Sequence, residues 1–458
     1  MPSATTDADA IIETNAGTAA PPGARSGELV GHRATLLAGW RARRSAGLGA
    51  HLAYHGAPPL PSPKDHSWPE RFADMVEASG LTGRGGASFP SATKLRLVRS
   101  ARGHPTLVVN AMEGEPASDK DRILLSCLPH LVLDGAELAA CALGAARVVV
   151  CVADDRHDTA DAVNRAVAER AGPALAPVPI EVVRPPGRYV AGEESALVSW
   201  LHGRPGAPTW RPDKGTPLSI GSGAALVHNA ETLAHMALIA RYGPASFRAA
   251  GLTDAPGTAL VTVSGAVEHV GVYEVAMGTT LGEIVRPAQP KSEVSAVLTG
   301  GIGGSWVPAT ALSTAYAPGP MAAVGGVVGA GVLVVLTKGA CGVAETARLA
   351  RYMAGESAGQ CGPCVFGLPA VADDLERLAA GISDPDARRR LEMRVASVDG
   401  RGACRHPDGV ARMVRSALSV FASDAAAHAA GRPCAFRDAP SVLRMPMAAT
   451  MATMRRAS

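Results

Sequence analysis

Two cysteines three residues apart, Cys361 and Cys364 in ESAGQCGPCVFG, have a spacing that can grip a metal. Cys404 offers a third thiol forty residues later. Ala358 stands where another cysteine would complete a C-x-x-C-x-x-C run. Three readings fit these residues: an iron–sulfur site short of one ligand, a zinc site, or inert thiols. Cys127, Cys141 and Cys151 lie in or beside apolar segments and read as buried thiols, while Cys341 and Cys434 show no partner spacing.

A second constellation suits phosphate and ribose. GLTGRGGASFPSATK (80–94) places Gly83, Gly85 and Gly86 where backbone N–H groups can approach a phosphate, with Arg84 and Lys94 as added charge. It is neither a G-x-G-x-x-G fingerprint nor a Walker loop. VVNAMEGEP (108–116) sets Asn110, Glu113 and Glu115 just beyond an expected strand, on the edge where open α/β sheets take ligands. GRYVAGEESA (187–196) repeats the theme with Tyr189, Gly192, Glu193 and Glu194; a helix N-terminus stabilised by the helix dipole is the bland alternative for the two glutamates.

These residues need elements to hold them. TLVVNA (106–111), RVVVCVA (147–153) and IEVVR (180–184) read as buried strands. HLVLDGAELAACALGA (130–145), TADAVNRAVAERAG (159–172) and VHNAETLAHMALIARYG (227–243) read as helices. Alternation of this kind predicts a largely parallel sheet covered by helices. Around 257–290 short alternating strands and a helix start, GTTLGEIV, predict a small α+β module. After about 340 four amphipathic segments with short connections predict a four-helix bundle, with the C-x-x-C before its second helix and Cys404 between its third and fourth.

Composition sets the outer limits. A chain of 458 residues with 47% hydrophobic and 19% charged residues is of ordinary globular make-up and long enough for several domains. A net charge of +3 and 4% aromatic residues give no basis for nucleic-acid binding. The most apolar run, MAAVGGVVGAGVLVVL (321–336), is shorter than the ~20 residues that span a bilayer and reads as a buried strand and turn. The N-terminus lacks a basic start followed by an apolar core, so the expected location is cytoplasmic, with a place peripheral to a membrane complex as the alternative.

In order and spacing, GRGGASFP, NAMEGEP, AGEESA and HNAETLA resemble the NADH-oxidising FMN and iron–sulfur flavoprotein subunit of respiratory complex I and the related diaphorase subunits. The likeness runs from about 70 to 425 and suggests a standalone, divergent paralogue. It implies a modified Rossmann-like FMN-binding α/β domain over 29–250, with a helical lead-in. A β-grasp-like, SLBB-type module with the Gly-rich continuation GGIGGSW would fill 251–339. A helical bundle carrying the cluster would fill 340–425, between a disordered 1–28 and a flexible 426–458. FMN contacts implied by motif are Gly83, Arg84, Gly85, Gly86, Lys94, Asn110, Glu113, Tyr189, Gly192, Glu193, Glu194 and Asn229. NADH would stack near Phe89, with Glu115 and Glu194 as the catalytic carboxylates at its polar edge. The implied reaction is hydride transfer from nicotinamide to flavin, then single electrons to a cluster on Cys361, Cys364 and Cys404.

With Ala358 in the first ligand position, that cluster would be [4Fe–4S] with a non-cysteine corner, for which Ser357 and His406 are at hand, or [3Fe–4S]. A Cys₃His zinc site using His406 competes. The sequence also departs from the resembled pattern at Met112, Leu97, Lys214 and His228. Three of these four changes remove amide, carboxylate or aromatic contacts, which favours FMN over NADH binding. They leave room for a rival reading: an electron-transfer or assembly subunit that kept the fold but changed donor or lost nicotinamide binding. The implied partner is a ferredoxin-like or thioredoxin-like [2Fe–2S] protein, with a membrane-bound redox partner as a further option.

Overall fold

The computed structural model describes residues 35–172, 174–211 and 215–443. The expectations for 1–28, for Lys214 and for the chain beyond 443 fall outside them. The fold is mixed α/β, with two five-stranded sheets and many helices.

The chain enters through helices α1 (Ala38–Arg43), α2 (Leu48–His55), α3 (Trp68–Ser79) and α4 (Ser91–Ser100). The first sheet then alternates with helices: β1 (Thr106–Ala111), α5 (Lys120–Cys127), α6 (Pro129–Leu143), β2 (Arg147–Val152), α7 (His157–Glu169), β3 (Ile180–Val183), α8 (Glu194–Leu201), β4 (Leu218–Ile220), β5 (Gly223–Asn229) and α9 (Ala230–Tyr242). Strand order is β3-β2-β1-β5-β4, parallel except for the β4–β5 pair. Both faces are covered, which is why these strands read as unbroken apolar runs. Leu107 and Val109 face the core under α6 and α9, and Val108 and Val149 face the opposite layer with Leu197 and Val198 of α8.

One boundary differs from the sequence reading. The helix expected over 227–243 begins only at Ala230, because residues 223–229 form β5 against β1. Asn229 ends the strand and caps the helix, so no turn residues separate the two.

After the short helix α10 (Pro244–Arg248) come β6 (Thr258–Gly265), β7 (Gly271–Ala276), α11 (Leu281–Val285), β8 (Val294–Thr299), β9 (Ser305–Pro308), α12 (Pro318–Ala323) and β10 (Val332–Thr337). The second sheet runs β7-β6-β10-β8-β9. The apolar run 321–336 is the end of α12, a turn and most of β10. Leu333 and Val335 pack under α11, whereas Val332, Val334 and Leu336 face the helices that follow. Those are α13 (Gly342–Gly355), α14 (Leu368–Ala379), α15 (Ala387–Val398), α16 (His406–Val420) and α17 (Ala422–Ala429).

The tail expected from 426 is therefore ordered at its start. α17 continues through Ala429, and Ser441 Oγ donates to Glu345 Oε2 at 2.9 Å as the chain recrosses α13. The sequence there lacks an apolar period because contacts to the bundle, not a core stripe, hold it.

The helices α6 and α9 cross at close range. A Cβ on Gly135 would sit 1.8 Å from the Leu233 carbonyl oxygen. Gly135→Ala must push these helices apart and is expected to cost about 3 kcal/mol or more. A denaturant midpoint close to wild type would contradict that.

Candidate functional site

The parallel strands β1 and β5 end side by side, with Asn110 opposite Asn229. Both side chains are turned to local work. Asn110 Nδ2 donates to Gly192 O at 2.8 Å. Asn229 Oδ1 accepts from Glu231 N at 3.0 Å as the α9 cap, and its Nδ2 donates to Asp121 Oδ2 at 2.6 Å. The Gly-rich loop folds back over this edge. Gly83 N donates to Phe89 O at 2.9 Å, and Arg84 N donates to Thr232 Oγ1 at 2.9 Å. A Cβ on Gly85 would approach Asn229 Cβ to 3.3 Å, and Gly86 has φ +106°, a conformation that favours glycine.

Lys94 links this loop to the 193–194 turn. Its Nζ lies 2.9 Å from Glu194 Oε1 and donates to Val227 O at 2.7 Å. Glu193 caps α8 by accepting from Ser195 N and Ala196 N. Gly192 lets the turn close on buried Met112, whose Cβ would lie 3.3 Å from an added one. Phe89 is 45% exposed at the loop tip, where it offers a ring face.

Three expected contacts point inward. Arg84 is half-buried, and its guanidinium donates to Thr82 O and Thr258 O, both at 3.2 Å. Glu113, at φ +44°, accepts from Asp121 N, Arg122 N and Ser118 Oγ at 2.8–2.9 Å and so caps α5. Glu115 accepts from Ile302 N at 3.0 Å and Ala117 N at 3.3 Å, tying the Gly-rich turn after β8 to the first sheet. Burial, followed by the Asp121 charge, raises Glu113 to about 7. Burial raises Glu115 to about 7 against its two N–H donors.

The sequence reading missed the charges beneath the cradle. Lys120 Nζ lies 2.9 Å from both Asp121 Oδ1 and Glu231 Oε2, all three residues buried, and 3.1 Å from Oδ1 of half-buried Asn229. Burial opposes its charge, but Asp121 and Glu231 outweigh that and hold the ammonium above its usual range. Glu231 drops to about 2, its burial penalty overcome first by Lys120. Trp210 was also missed. It is 69% exposed, one residue beyond Thr209, whose N–H donates to Ser195 Oγ at 2.9 Å beside Glu194.

Tyr189 connects this edge to the cysteines. Its N–H donates to Glu356 Oε2 at 3.0 Å, Arg188 Nε pairs with the same oxygen at 2.9 Å, and its ring meets His406 edge-on at 5.4 Å. Burial raises its phenol well above the usual range. Cys364 interacts with Cys361, Cys404 and the Ser357 side chain, and burial first, then Cys361, raises its thiol. The three sulfurs do not gather within 4.8 Å, the mutual reach of ligands around one ion. His406 Nε2 lies 2.8 Å from Met353 O.

The residues present suit both implied groups. Exposed glycine backbone, a helix N-terminus and one ammonium form a donor set for a phosphate at the β1–β5 edge. Three thiols with the Ser357 hydroxyl beside them suit an iron–sulfur cluster with one non-cysteine corner.

Comparisons with known proteins converge on this layout. The Nuo51 FMN-binding domain family matches residues 76–238. The NADH-ubiquinone oxidoreductase-F iron-sulfur binding region matches 344–428. The second NADH-quinone oxidoreductase F chain of Rhizobium meliloti is 31% identical over 382 residues, covering 80% of this chain and 91% of that one. The corresponding F chain of Mycobacterium tuberculosis H37Rv is 30% identical over 395 residues, covering 82% and 88%. Among solved structures, an NAD+-reducing [NiFe]-hydrogenase in its H2-reduced state matches with TM-score 0.72 and 33% identity, covering 80% of this chain but only 63% of the hydrogenase chain. The air-oxidised form gives a TM-score of 0.75 at 31% identity, covering 89% and 69%.

Glu115 should leave a mark on stability. An acid raised to about 7 in the fold favours folding below its unfolded value of 4.5, and that contribution is lost as pH rises through 7. Wild type should therefore lose up to about 3 kcal/mol relative to Glu115→Gln across that window. Parallel pH curves for the two proteins would contradict this.

Proposed function

The chain belongs to the family of NADH-quinone oxidoreductase F chains, and on that premise we propose that it is a flavin-dependent oxidoreductase moving electrons from NADH by way of FMN to an iron–sulfur cluster. The observation carrying this reading is the adjacency of cradle and thiols: Tyr189 belongs to the 187–194 turn on one side and meets His406, two residues after Cys404, on the other. FMN, when bound, accepts an electron pair as hydride and releases electrons singly, and the cluster carries them one at a time.

The chain's own residues set the conditions for that exchange. The loop over Gly83, Gly85 and Gly86, with the α9 N-terminus and Lys94, would hold the flavin phosphate. Asn110 and Gly192 fix the edge beside the ring. Phe89 and Trp210 offer exposed aromatic faces to a nicotinamide dinucleotide, and Glu194 stands beside Lys94 at the polar edge. Glu113 and Glu115 serve chiefly to position the cradle, since their oxygens are committed to backbone N–H groups. Cys361, Cys364 and Cys404 would hold the cluster, with Ser357 nearest the corner that Ala358 leaves without a thiol.

In finer terms, the reading divides the chain into a modified Rossmann-like domain, a β-grasp-like SLBB-type module and a helical bundle. A [2Fe–2S] electron-transfer protein is the proposed partner, because Val365 and Phe366 lie exposed immediately after Cys364. No single helix among the described residues is long and apolar enough to cross a membrane, in keeping with a peripheral place in a complex.

Anaerobic NADH added to the reconstituted protein should bleach the flavin absorbance. Flavin that binds yet stays oxidised would give precedence to the donor-switched reading, and no flavin uptake would remove the cradle assignment. Ala358→Cys should raise iron and acid-labile sulfide per chain; unchanged content would mean the three native thiols hold no cluster.

A further inference from the structure

Outside this site, a second set of soft ligands converges at the far end of the bundle. Cys341 is the N-cap of α13, His428 lies in α17, and Cys434 follows six residues later. The Cys341 sulfur, a His428 ring nitrogen and the Cys434 sulfur lie within 4.8 Å of one another, the one such His/Cys/Asp/Glu group among the described residues. His428 is fully buried, Cys341 is 3% exposed and Cys434 is half-buried.

The histidine is preset for coordination. Its Nδ1 faces the Leu378 and Ala379 carbonyls at 3.1 Å, so the proton sits on Nδ1 and the Nε2 lone pair points into the group. Nε2 lies 3.7 Å from Cys341 Sγ and accepts from Cys434 N at 3.1 Å. Cys341 Sγ accepts from Ala344 N at 3.4 Å at the N-terminus of a fourteen-residue helix, which partly offsets the burial that raises its thiol, so the thiolate forms with the ion.

We propose that Cys341, His428 and Cys434 form a binding site for a single thiophilic divalent cation, Zn²⁺ foremost, separate from the cluster thiols. Two thiolates and a neutral imidazole balance the ion's charge, which suits a buried site. Binding releases both thiol protons and replaces the Cys434 N–H bond to Nε2. Solvent supplies the fourth ligand on the half-buried Cys434 side. The ion ties residues 430–443 to the start of α13, a segment also held by Glu345 contacts to Ser441 and Val442 and by Arg348 donating to Ala439 O at 2.7 Å. Because binding displaces protons, it tightens as pH rises.

The test uses the full chain, as purified and as Cys361→Ser/Cys364→Ser/Cys404→Ser, which removes the cluster thiols. Zn²⁺ alone should bind at a single ion per chain in both proteins. Co²⁺ substitution should give thiolate-to-cobalt charge-transfer absorption in both, and His428→Ala and Cys341→Ser should abolish it while circular dichroism stays native. Should either variant fail to fold, removing zinc from the intact chain by chelation and recovering the cobalt band reads the site without substitution. Folded protein that takes up no zinc, zinc lost with the cluster thiols, or a Cys341–Cys434 disulfide under reducing purification would each overturn the proposal.

Discussion

A buried ammonium holds the cradle in place. Lys120 reaches Asp121, Glu231 and Asn229 at once, within 3.1 Å of each. Asn229 closes β5 and caps α9, Asp121 opens α5, and Glu231 accepts from Leu260 N at 2.8 Å on the first strand of the second sheet. One charge therefore fixes the sheet edge, two helix starts and the junction between sheets. A buried cation persists only when its partners compensate the lost hydration, and here two carboxylates and an amide do so. Around it the site residues arrange as consequences. Glu113 caps α5, Arg84 fills the space above Glu231 at 4.0 Å, and the Gly-rich loop rests on Thr232.

A second tie runs through Glu115 and Tyr189. Glu115 reaches Ile302 after β8, and a Cβ on Gly301 would collide with its carboxylate at 2.4 Å. A Cβ on Gly303 would meet the Tyr189 hydroxyl at 3.2 Å, and Arg412 of α16 donates to Gly303 O at 2.8 Å. The glycines of GGIGGSW thus let three parts of the chain meet with little side-chain bulk between them.

Local pattern made much of this legible. β1 coincides with TLVVNA, and the helices over 130–145 and 159–172 are displaced by two or three residues at most. Such segments carry their burial in their own period. β5 is hidden because its apolar residues run straight into α9, and only pairing with β1 distinguishes them. Motif order singled out the 83–94 loop and the 187–194 turn, which Lys94 links, but not the direction of their side chains: Arg84 and Glu113 face inward because helix termini and carbonyls there need partners. Lys120 and Asp121 carry no local signal in sequence and are buried because distant elements converge on them. Cys341 and His428 are 87 residues apart, and Cys434 follows six later, a spacing without local signature.

The central claim is that one chain places a flavin cradle at the β1–β5 edge beside a three-thiol cluster site. An experimental structure of the protein reconstituted with FMN, iron and sulfide tests it most directly. The account predicts isoalloxazine density between the 83–89 loop and the 189–194 turn, its phosphate toward Lys94 and the α9 N-terminus, and cluster density bonded to Cys361, Cys364 and Cys404. Flavin density elsewhere, or those three sulfurs bound to nothing in protein that contains iron and sulfide, would contradict it.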